Sequence, residues 1–180
     1  MLIDEAVALL QRAIPHGPGV WADLGAGTGT FTQALGQLLS PGSRIYAVDR
    51  DRKAVAALKR LVPKTRVDIV PVLADLTSAF SLPGEPRGGW DGLLLANALH
   101  FVPETEVVLT SLVRRVRVAG RVVVVEYDRR DASRWVPHPI TPDRLLALAA
   151  AAGLSTPVIT ARRRSSFGGE LYVAAADRVR

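Results

Sequence analysis

The sequence of 180 residues predicts an α/β fold in which a seven-stranded, mostly parallel sheet carries helices on both faces. Strand patterns and helical patterns alternate along most of the chain, and this order produces parallel pairing with right-handed crossovers. The last two strand patterns have no helix between them, so their short connection makes an antiparallel hairpin at one edge and reverses one strand. At this length we expect one domain over residues 1–180.

The first half of the chain predicts three strands and three helices. Apolar residues recur at helical spacing from Leu2 onward and stop before Pro15, so residues 1–18 are an N-terminal helical segment and a candidate lid. Asp51 is placed to cap a later helix, whereas Pro71 weakens the strand that contains it. The predicted elements are strands at 19–24, 44–48 and 66–73, a helix at 30–39, and a helix from the Asp51 cap to Val62.

The second half alternates in the same way after a loop at 81–89, which holds two prolines and three glycines. Val122–Val125 is the clearest strand pattern, and Gly120 is interpreted as the turn before it. Thr141-Pro142 is typical of a helix N-terminus and Gly153 of a helix C-terminus. The predicted elements are strands at 93–96 and 121–126, helices at 103–116 and 142–153, and strands at 157–160 and 171–176 joined through 162–169.

Composition and charge exclude several classes of function. Hydrophobic residues make up 48% and charged residues 22%, which is the balance of a globular domain. The absence of cysteine excludes disulfides, cysteine-ligated zinc, iron–sulfur clusters and a cysteine nucleophile, and no metal site is predicted. The net charge is +6, but all except three of the 23 basic residues are arginine, which we interpret as a compositional bias with a solvated surface.

The N-terminal segment does not resemble a secretion signal. Asp4 and Glu5 interrupt it, and its apolar residues are periodic where a signal would have them continuous. No apolar run in the chain approaches the roughly 20 residues needed to span a bilayer. We therefore expect a cytoplasmic protein with no membrane partner.

A glycine-rich loop is the strongest local motif. Residues 23–29 read Asp-Leu-Gly-Ala-Gly-Thr-Gly, directly after a strand pattern and before a helix. Glycines allow a tight turn and close approach of a ligand, and the following helix N-terminus offers free N–H groups. A dinucleotide-binding loop places its third glycine at the position that Thr30 occupies here, so the spacing disfavours an NAD-linked dehydrogenase. Asp23 disfavours a pyrophosphate and favours a zwitterionic ligand with an amino group.

Three further polar residues follow strand ends. Asp49 ends the second strand, and a carboxylate there can accept hydrogen bonds from ribose hydroxyls. Asp75 lies just past the third strand, where it can accept from an exocyclic amine such as adenine N6. Asn97 ends the fourth strand. Because ligands of open α/β sheets bind at the carboxyl ends of the strands, we expect Asp23 and these residues to surround one site.

These residues make the chain resemble the class I S-adenosylmethionine-dependent methyltransferases over nearly its whole length. The loop at 23–29 is similar to the family's first motif, and Asp49 and Asp75 match its ribose and adenine acids. Trp90-Asp91-Gly92 followed by Asn97 resembles the fourth motif. Residues 118–121 resemble the glycine pair that precedes strand five, with Ala119 in place of the first glycine. The resemblance implies a Rossmann-like fold and S-adenosylmethionine as the cofactor, with S-adenosylhomocysteine as its product.

The resemblance also implies roles for single residues. Asp23, Gly25, Ala26 and Gly27 hold the methionine end of the cofactor, and Asp49 takes the ribose hydroxyls. Asp75 and Leu76 contact the edge of the adenine, and Asn97 lies beside the transferring methyl group. Arg50 either lies beside the adenine or is solvated.

The residues that act on the methyl acceptor are less sharply specified. His100 follows Asn97 in the loop above the sheet and is the leading candidate for a general base, because histidine titrates near neutrality. Tyr127 just past strand five is the second catalytic candidate, with pocket wall or solvated loop as its alternative. The alternative for His100 is a loop histidine bonded to backbone. Asp128, Trp135 and His138 are expected to be pocket wall or solvated loop.

The sequence lacks features of methyltransferases that act on nucleic acids, which favours a small-molecule acceptor methylated on O, N or C. After strand four the chain reads Asn-Ala-Leu-His at 97–100, without the prolines of enzymes that methylate the exocyclic amines of bases. The arginines at 114–117 and 162–164 are interpreted as solvated faces, so a nucleic-acid partner is not favoured. The alternatives are an RNA or protein methyltransferase and a non-catalytic module that binds S-adenosylmethionine. The sequence does not predict an oligomeric state.

Overall fold

The computed structural model describes residues 1–62, 66–128, 131–164 and 169–180. Its strands are β1 (Val20–Leu24), β2 (Arg44–Asp49), β3 (Asp68–Leu73), β4 (Trp90–Ala96), β5 (Val116–Asp128), β6 (Val158–Arg164) and β7 (Glu170–Asp177). Its helices are α1 (Ile3–Leu10), α2 (Thr30–Leu38), α3 (Arg52–Lys59), α4 (Thr105–Val113) and α5 (Pro142–Ala151), with a 3₁₀ turn at Leu99–Phe101. Within the described ranges, no helix has the length and apolar character needed to cross a bilayer.

The seven strands form one sheet in the order β3-β2-β1-β4-β5-β7-β6. The pairs from β3 to β5 are parallel, whereas β7 runs antiparallel to both of its neighbours. Helices α1, α2 and α3 pack on one face of the sheet, and α4 and α5 pack on the other. The predicted fold class is therefore confirmed, including the single reversed strand.

Two features of the observed strands, at Pro71 and at Ala119, have physical reasons. Pro71 lies within β3, but β3 is an edge strand, where a missing N–H donor is tolerated. Helix α4 is shorter than predicted, and β5 begins at Val116 and continues through Gly120. The strand continues because Ala119, with φ of 58°, donates its N–H to the Arg178 carbonyl at 2.8 Å. The connection at 165–168 lies outside the described residues.

The strand directions bring the functional ends of the sheet together. Strands β1 to β5 are parallel, so their carboxyl ends lie along one edge. Two successive antiparallel steps return β6 to the direction of β5. The end of β6 therefore lies at the same edge, which we call the carboxyl rim.

Gly92 allows β4 to lie directly against the buried ring of Trp21 in β1. A Cβ atom at Gly92 would lie 2.4 Å from three atoms of that ring, well inside van der Waals contact. Trp21 is 2% exposed and has no open side to move into. A side chain at position 92 would thus overpack the centre of the sheet.

We predict that Gly92→Ala lowers the free energy of unfolding by about 1–3 kcal/mol, the usual range for overpacking a core. Gly88→Ala is the matched control, because a Cβ atom there would meet no described atom within 4 Å. Urea unfolding followed by tryptophan fluorescence measures both. Equal midpoints for the two variants would contradict the close packing.

Candidate functional site

A cavity of about 1000 Å³ opens along the carboxyl rim. This volume lies at the upper end of the range for small-molecule and cofactor sites. The structure brings all the residues with an expected cofactor role to this one cavity. They are Asp23, Gly25, Ala26, Gly27, Asp49, Arg50, Asp75, Leu76 and Asn97, and Tyr127 lines the same cavity.

The loop after β1 uses its three glycines in different ways. All three have positive φ values, between 56° and 90°. A Cβ atom at Gly25 would lie 2.8 Å from the Ala98 Cβ, and one at Gly29 would lie 2.4 Å from a methyl of Leu61. At Gly27 no described atom lies within 4 Å of that position. The missing side chains at Gly25 and Gly29 thus let Ala98 and Leu61 pack against the loop, whereas Gly27 leaves the backbone open to a ligand.

Asp49 is fixed to the glycine loop by hydrogen bonds. Its Oδ2 accepts from the Gly27 N–H at 2.8 Å, and its Oδ1 accepts from the Asp51 N–H at 2.8 Å. Each carboxylate oxygen can accept more than one hydrogen bond, so both retain capacity for a ligand. The side chain is therefore oriented before any ligand arrives, which reduces the entropic cost of binding.

Asp23 is a buried carboxyl group on the wall of the cavity. It is 1% exposed, and its Oδ2 accepts from the Thr32 hydroxyl at 2.6 Å. Burial raises the pKa of Asp23 to about 7, with the nearby charge of Asp49 adding to the rise and the Thr32 hydrogen bond opposing it. Asp23 thus changes charge near neutral pH.

Two buried oxygens at the cavity lack a hydrogen-bond partner among the described residues. They are Oδ1 of Asp23 and Oδ1 of Asn97, on residues at the ends of adjacent strands. Asn97 also has a positive φ of 55°, and its N–H donates to the Val125 carbonyl at 2.8 Å. A buried, unpaired polar atom costs about 1–3 kcal/mol, so two of them on residues that line one cavity favour a water or a polar ligand as the missing partner.

Asp75 is held at the far end of the cavity by its own turn. Its Oδ1 accepts from the backbone N–H and the hydroxyl of Thr77, at 2.9 and 2.7 Å, and these bonds lower its pKa. An Arg50 guanidinium nitrogen lies 3.9 Å from Oδ2. The carboxylate therefore stays ionised at neutral pH and can accept a donor from a ligand.

His100 is placed differently from the other predicted residues. It is 2% exposed, and the described lining of the cavity does not include it. Its Nδ1 lies 2.6 Å from Oε2 of the fully buried Glu126, and its backbone N–H donates to Oε1 at 3.2 Å. Its ring contacts those of Phe101 and Tyr127, which do line the cavity. His100 thus lies behind the cavity wall, and its role as a base stays a prediction.

Glu126 was not among the residues expected at the site. The signal for it in the sequence is an acid directly after the apolar run Val122–Val125, where a strand covered on both faces would bury it. Asp128, Trp135 and His138 do not belong to the described lining. His138 donates its N–H to the His100 carbonyl at 3.0 Å, and Trp135 is 70% exposed.

The arginine clusters differ from their interpretation as solvated faces. Arg163 and Arg164 line the cavity at the end of β6, and Arg163 pairs with Glu5 at 2.5 Å. Met1 and Glu5 bring the N-terminal segment to the same wall, although its role as a lid stays a prediction. In the other cluster, Arg115 stacks on Phe80 and Trp90 and pairs with Glu85, and Arg117 pairs with Asp91.

The chain is similar to solved structures over nearly its whole length. It is 25% identical to the crystallised 1,6-didemethyltoxoflavin-N1-methyltransferase of Burkholderia thailandensis, covering 99% of this chain and 78% of that one with a TM-score of 0.72. That crystal contains 1,6-didemethyltoxoflavin and S-adenosylhomocysteine. This chain is also 16% identical to the [4+2]-cyclase SpnF. That match covers 98% of this chain and 81% of SpnF, with a TM-score of 0.72. The second likeness concerns the fold alone.

Curated relatives match a shorter part of the chain. A probable cobalt-precorrin-6B C(15)-methyltransferase (decarboxylating) of Pyrobaculum aerophilum is 33% identical over 83 residues, which are 46% of this chain and 42% of the relative. The match therefore spans less than half the length of that relative. A family described as a methyltransferase domain matches residues 22–122, more than half of the chain and the part that contains the glycine loop, Asp49, Asp75 and Asn97. The chain belongs to this family, the class I S-adenosylmethionine-dependent methyltransferases.

Proposed function

We propose that this protein transfers the methyl group of S-adenosylmethionine to an O, N or C atom of a small molecule. The observation that carries the proposal is the arrangement around the glycine loop. The open side of Gly27, the oriented carboxylate of Asp49 and the unpaired buried oxygens of Asp23 and Asn97 share one cavity. These groups offer acceptors for an ammonium and for ribose hydroxyls, which are the donors of this cofactor.

The cofactor would lie along the acidic half of the carboxyl rim. Asp23 would face its ammonium group, Gly25 to Gly27 would accommodate its methionine end, and Asp49 would accept from both ribose hydroxyls. Asp75 would accept from the adenine amine, with the Leu76 backbone at the same edge. Arg50 lies beside Asp75 and would flank the adenine.

The remaining part of the cavity supports an acceptor of small size. Beyond Asn97 the cavity continues past Tyr127 to Leu171 and the end of β6. In the Burkholderia relative, which covers 99% of this chain, the crystal holds a small heterocycle together with S-adenosylhomocysteine. A cleft of this volume suits a small molecule that enters it whole.

Catalysis would depend mainly on positioning. Bound S-adenosylmethionine supplies an electrophilic methyl group on a sulfonium; the acceptor forms the new bond and the electron pair of the broken bond stays on sulfur. Asn97 would border the methyl group, and Tyr127 would orient the acceptor in line with it. A base is needed only if the acceptor begins protonated. Glu126 holds Nδ1 of His100 behind Phe101 and Tyr127, so His100 would act as this base only if its other ring nitrogen reaches the acceptor between these two rings.

The acceptor class is tested with S-adenosylmethionine carrying a labelled methyl group and a total cell extract. We expect label in the small-molecule filtrate, with much less appearing at a limiting cofactor concentration when Asp49→Ala replaces the wild type. Label that nuclease or protease releases would support an RNA or a protein acceptor. S-Adenosylhomocysteine binding without any label would support the non-catalytic module. In the same assay His100→Gln should slow labelling without changing cofactor affinity; an unchanged rate removes its role as a base.

The ribose role of Asp49 is tested by pairing a variant with an altered ligand. Wild type should bind adenosine about 1–3 kcal/mol more tightly than 2′,3′-dideoxyadenosine, since charged hydrogen bonds contribute this much. Asp49→Ala should remove that difference. Asp68→Ala, at the amino end of β3 and paired with Arg44, should keep it. Calorimetry measures all six affinities, and a difference that survives in Asp49→Ala would exclude the role.

The raised pKa of Asp23, about 7, predicts a pH-dependent affinity for S-adenosylhomocysteine. Below this pH the carboxyl is protonated and must lose its proton before it pairs with the ligand's ammonium. Affinity should therefore rise between pH 5.5 and 7.5, with proton release measured by calorimetry in two buffers. Thr32→Val removes the hydrogen bond that lowers this pKa, so the midpoint should move to higher pH. Thr77→Val removes a hydrogen bond to Asp75 and should leave the pH midpoint of the affinity unchanged. An affinity of the wild type that does not vary with pH would refute the pairing of Asp23 with the ammonium group.

A further inference from the structure

The charge on the carboxyl rim changes sign from one end of the sheet to the other. The acids Asp75, Asp49 and Asp23 lie at the ends of β3, β2 and β1. At the opposite end of the sheet, β6 finishes with Arg163 and Arg164 on the wall of the same cavity. The cavity is therefore acidic where the cofactor is expected and basic where the acceptor is expected.

The register of the last strands connects the arginines to the acceptor side. Tyr127 of β5 pairs with Leu171 of β7, and Leu171 pairs with Arg163 of β6. All three residues line the cavity, so they form one continuous row across three strands. Arg164 follows at the strand end, opposite Glu170. This row begins at Tyr127, beside the expected methyl position, and ends at Arg163; Arg164 is the next residue of the strand and lines the same cavity.

Among the arginines at this end, Arg164 is the one whose side chain has no ion pair with a described residue. Arg163 is neutralised by Glu5, whose pKa the ion pair lowers to about 2, so the pair persists at neutral pH. Arg162 pairs with Asp128 and Glu170, both at 2.8 Å. The Arg164 side chain has no hydrogen bond or ion pair within the described ranges 1–62, 66–128, 131–164 and 169–180. An arginine that lines a cavity and has no side-chain partner is suited to a carboxylate or a phosphate.

Apolar side chains also line the cavity. Met1, Phe31, Phe101 and Leu171 line the cavity near the row. An acceptor that fills the space would thus have an apolar or aromatic body to match these side chains. The acids at the other end would repel an anion, which fixes the direction in which such a molecule enters.

We infer that the methyl acceptor is an apolar or aromatic molecule with an anionic group, a carboxylate or a phosphate, which Arg164 binds at the end of β6. This inference rests on the proposed methyl transfer and specifies its substrate class. Arg164 would act as a specificity residue, distant from the reacting atoms. The Glu5–Arg163 pair would hold the N-terminal helix beside the bound anion.

The test uses three naphthalene probes that differ in one group: neutral 1-naphthol, 1-naphthoate and 1-naphthyl phosphate. Each is titrated by fluorescence into protein saturated with S-adenosylhomocysteine at low ionic strength. The two anions should bind more tightly than 1-naphthol. Arg164→Gln should weaken both anions about three- to tenfold, in the range of a partly exposed charge contact, and leave 1-naphthol unchanged. The anion that loses more identifies carboxylate or phosphate as the recognised group.

Arg87→Gln is the matched control, because it removes the same charge from an exposed arginine in the loop before β4, at the amino end of the strand. It should change none of the three affinities. No preference for the anions, or equal losses in both variants, would overturn the inference. Binding of S-adenosylhomocysteine is measured first on every protein. Its failure in wild type counts against the proposed methyl transfer, whereas its success without anion preference counts against the acceptor class alone.

Discussion

The hydrogen bond from the Gly27 N–H to the Asp49 carboxylate is the interaction on which the site depends. It joins the loop after β1 to the end of β2 at the point where both meet the cavity. The loop can make it only because its glycines adopt positive φ values. The bond orients Asp49 toward the rim and keeps the open side of Gly27 free of protein atoms. Asp23 and Asn97, whose Oδ1 atoms lack partners among the described residues, line the same cavity at the ends of β1 and β4.

Much of this arrangement could be predicted from the sequence, because parallel strands end at one edge. An acid or amide just after each of four strand patterns must then meet the others, as Asp23, Asp49, Asp75 and Asn97 do. The order of elements also predicted the reversed strand β7. The position of the His100 side chain could not be predicted in this way. Its orientation depends on a buried contact with Glu126, which lies 26 residues away in the sequence.

The arginines of β6 show a second limit of local patterns. A run of three arginines in an edge hairpin is typical of a solvated surface, and Arg162 does pair outside the cavity with Asp128 and Glu170. Arg163 and Arg164 reach the cavity because two antiparallel steps return β6 to the direction of β5. The fold itself does not determine the chemistry, since a [4+2]-cyclase shares it. The acids of the carboxyl rim therefore support the assignment of the cofactor, and its arginines support an anionic acceptor.

The most direct test of the central claim is a crystal structure of the protein with S-adenosylhomocysteine. The account predicts that the ribose hydroxyls lie within hydrogen-bond distance of Asp49 and that the ammonium group lies beside Asp23. The methionine end should pass over the open side of Gly27, leaving the space between Tyr127 and Arg164 free for the acceptor. A cavity without ligand at saturating concentration, or a ribose bound away from the end of β2, would contradict it.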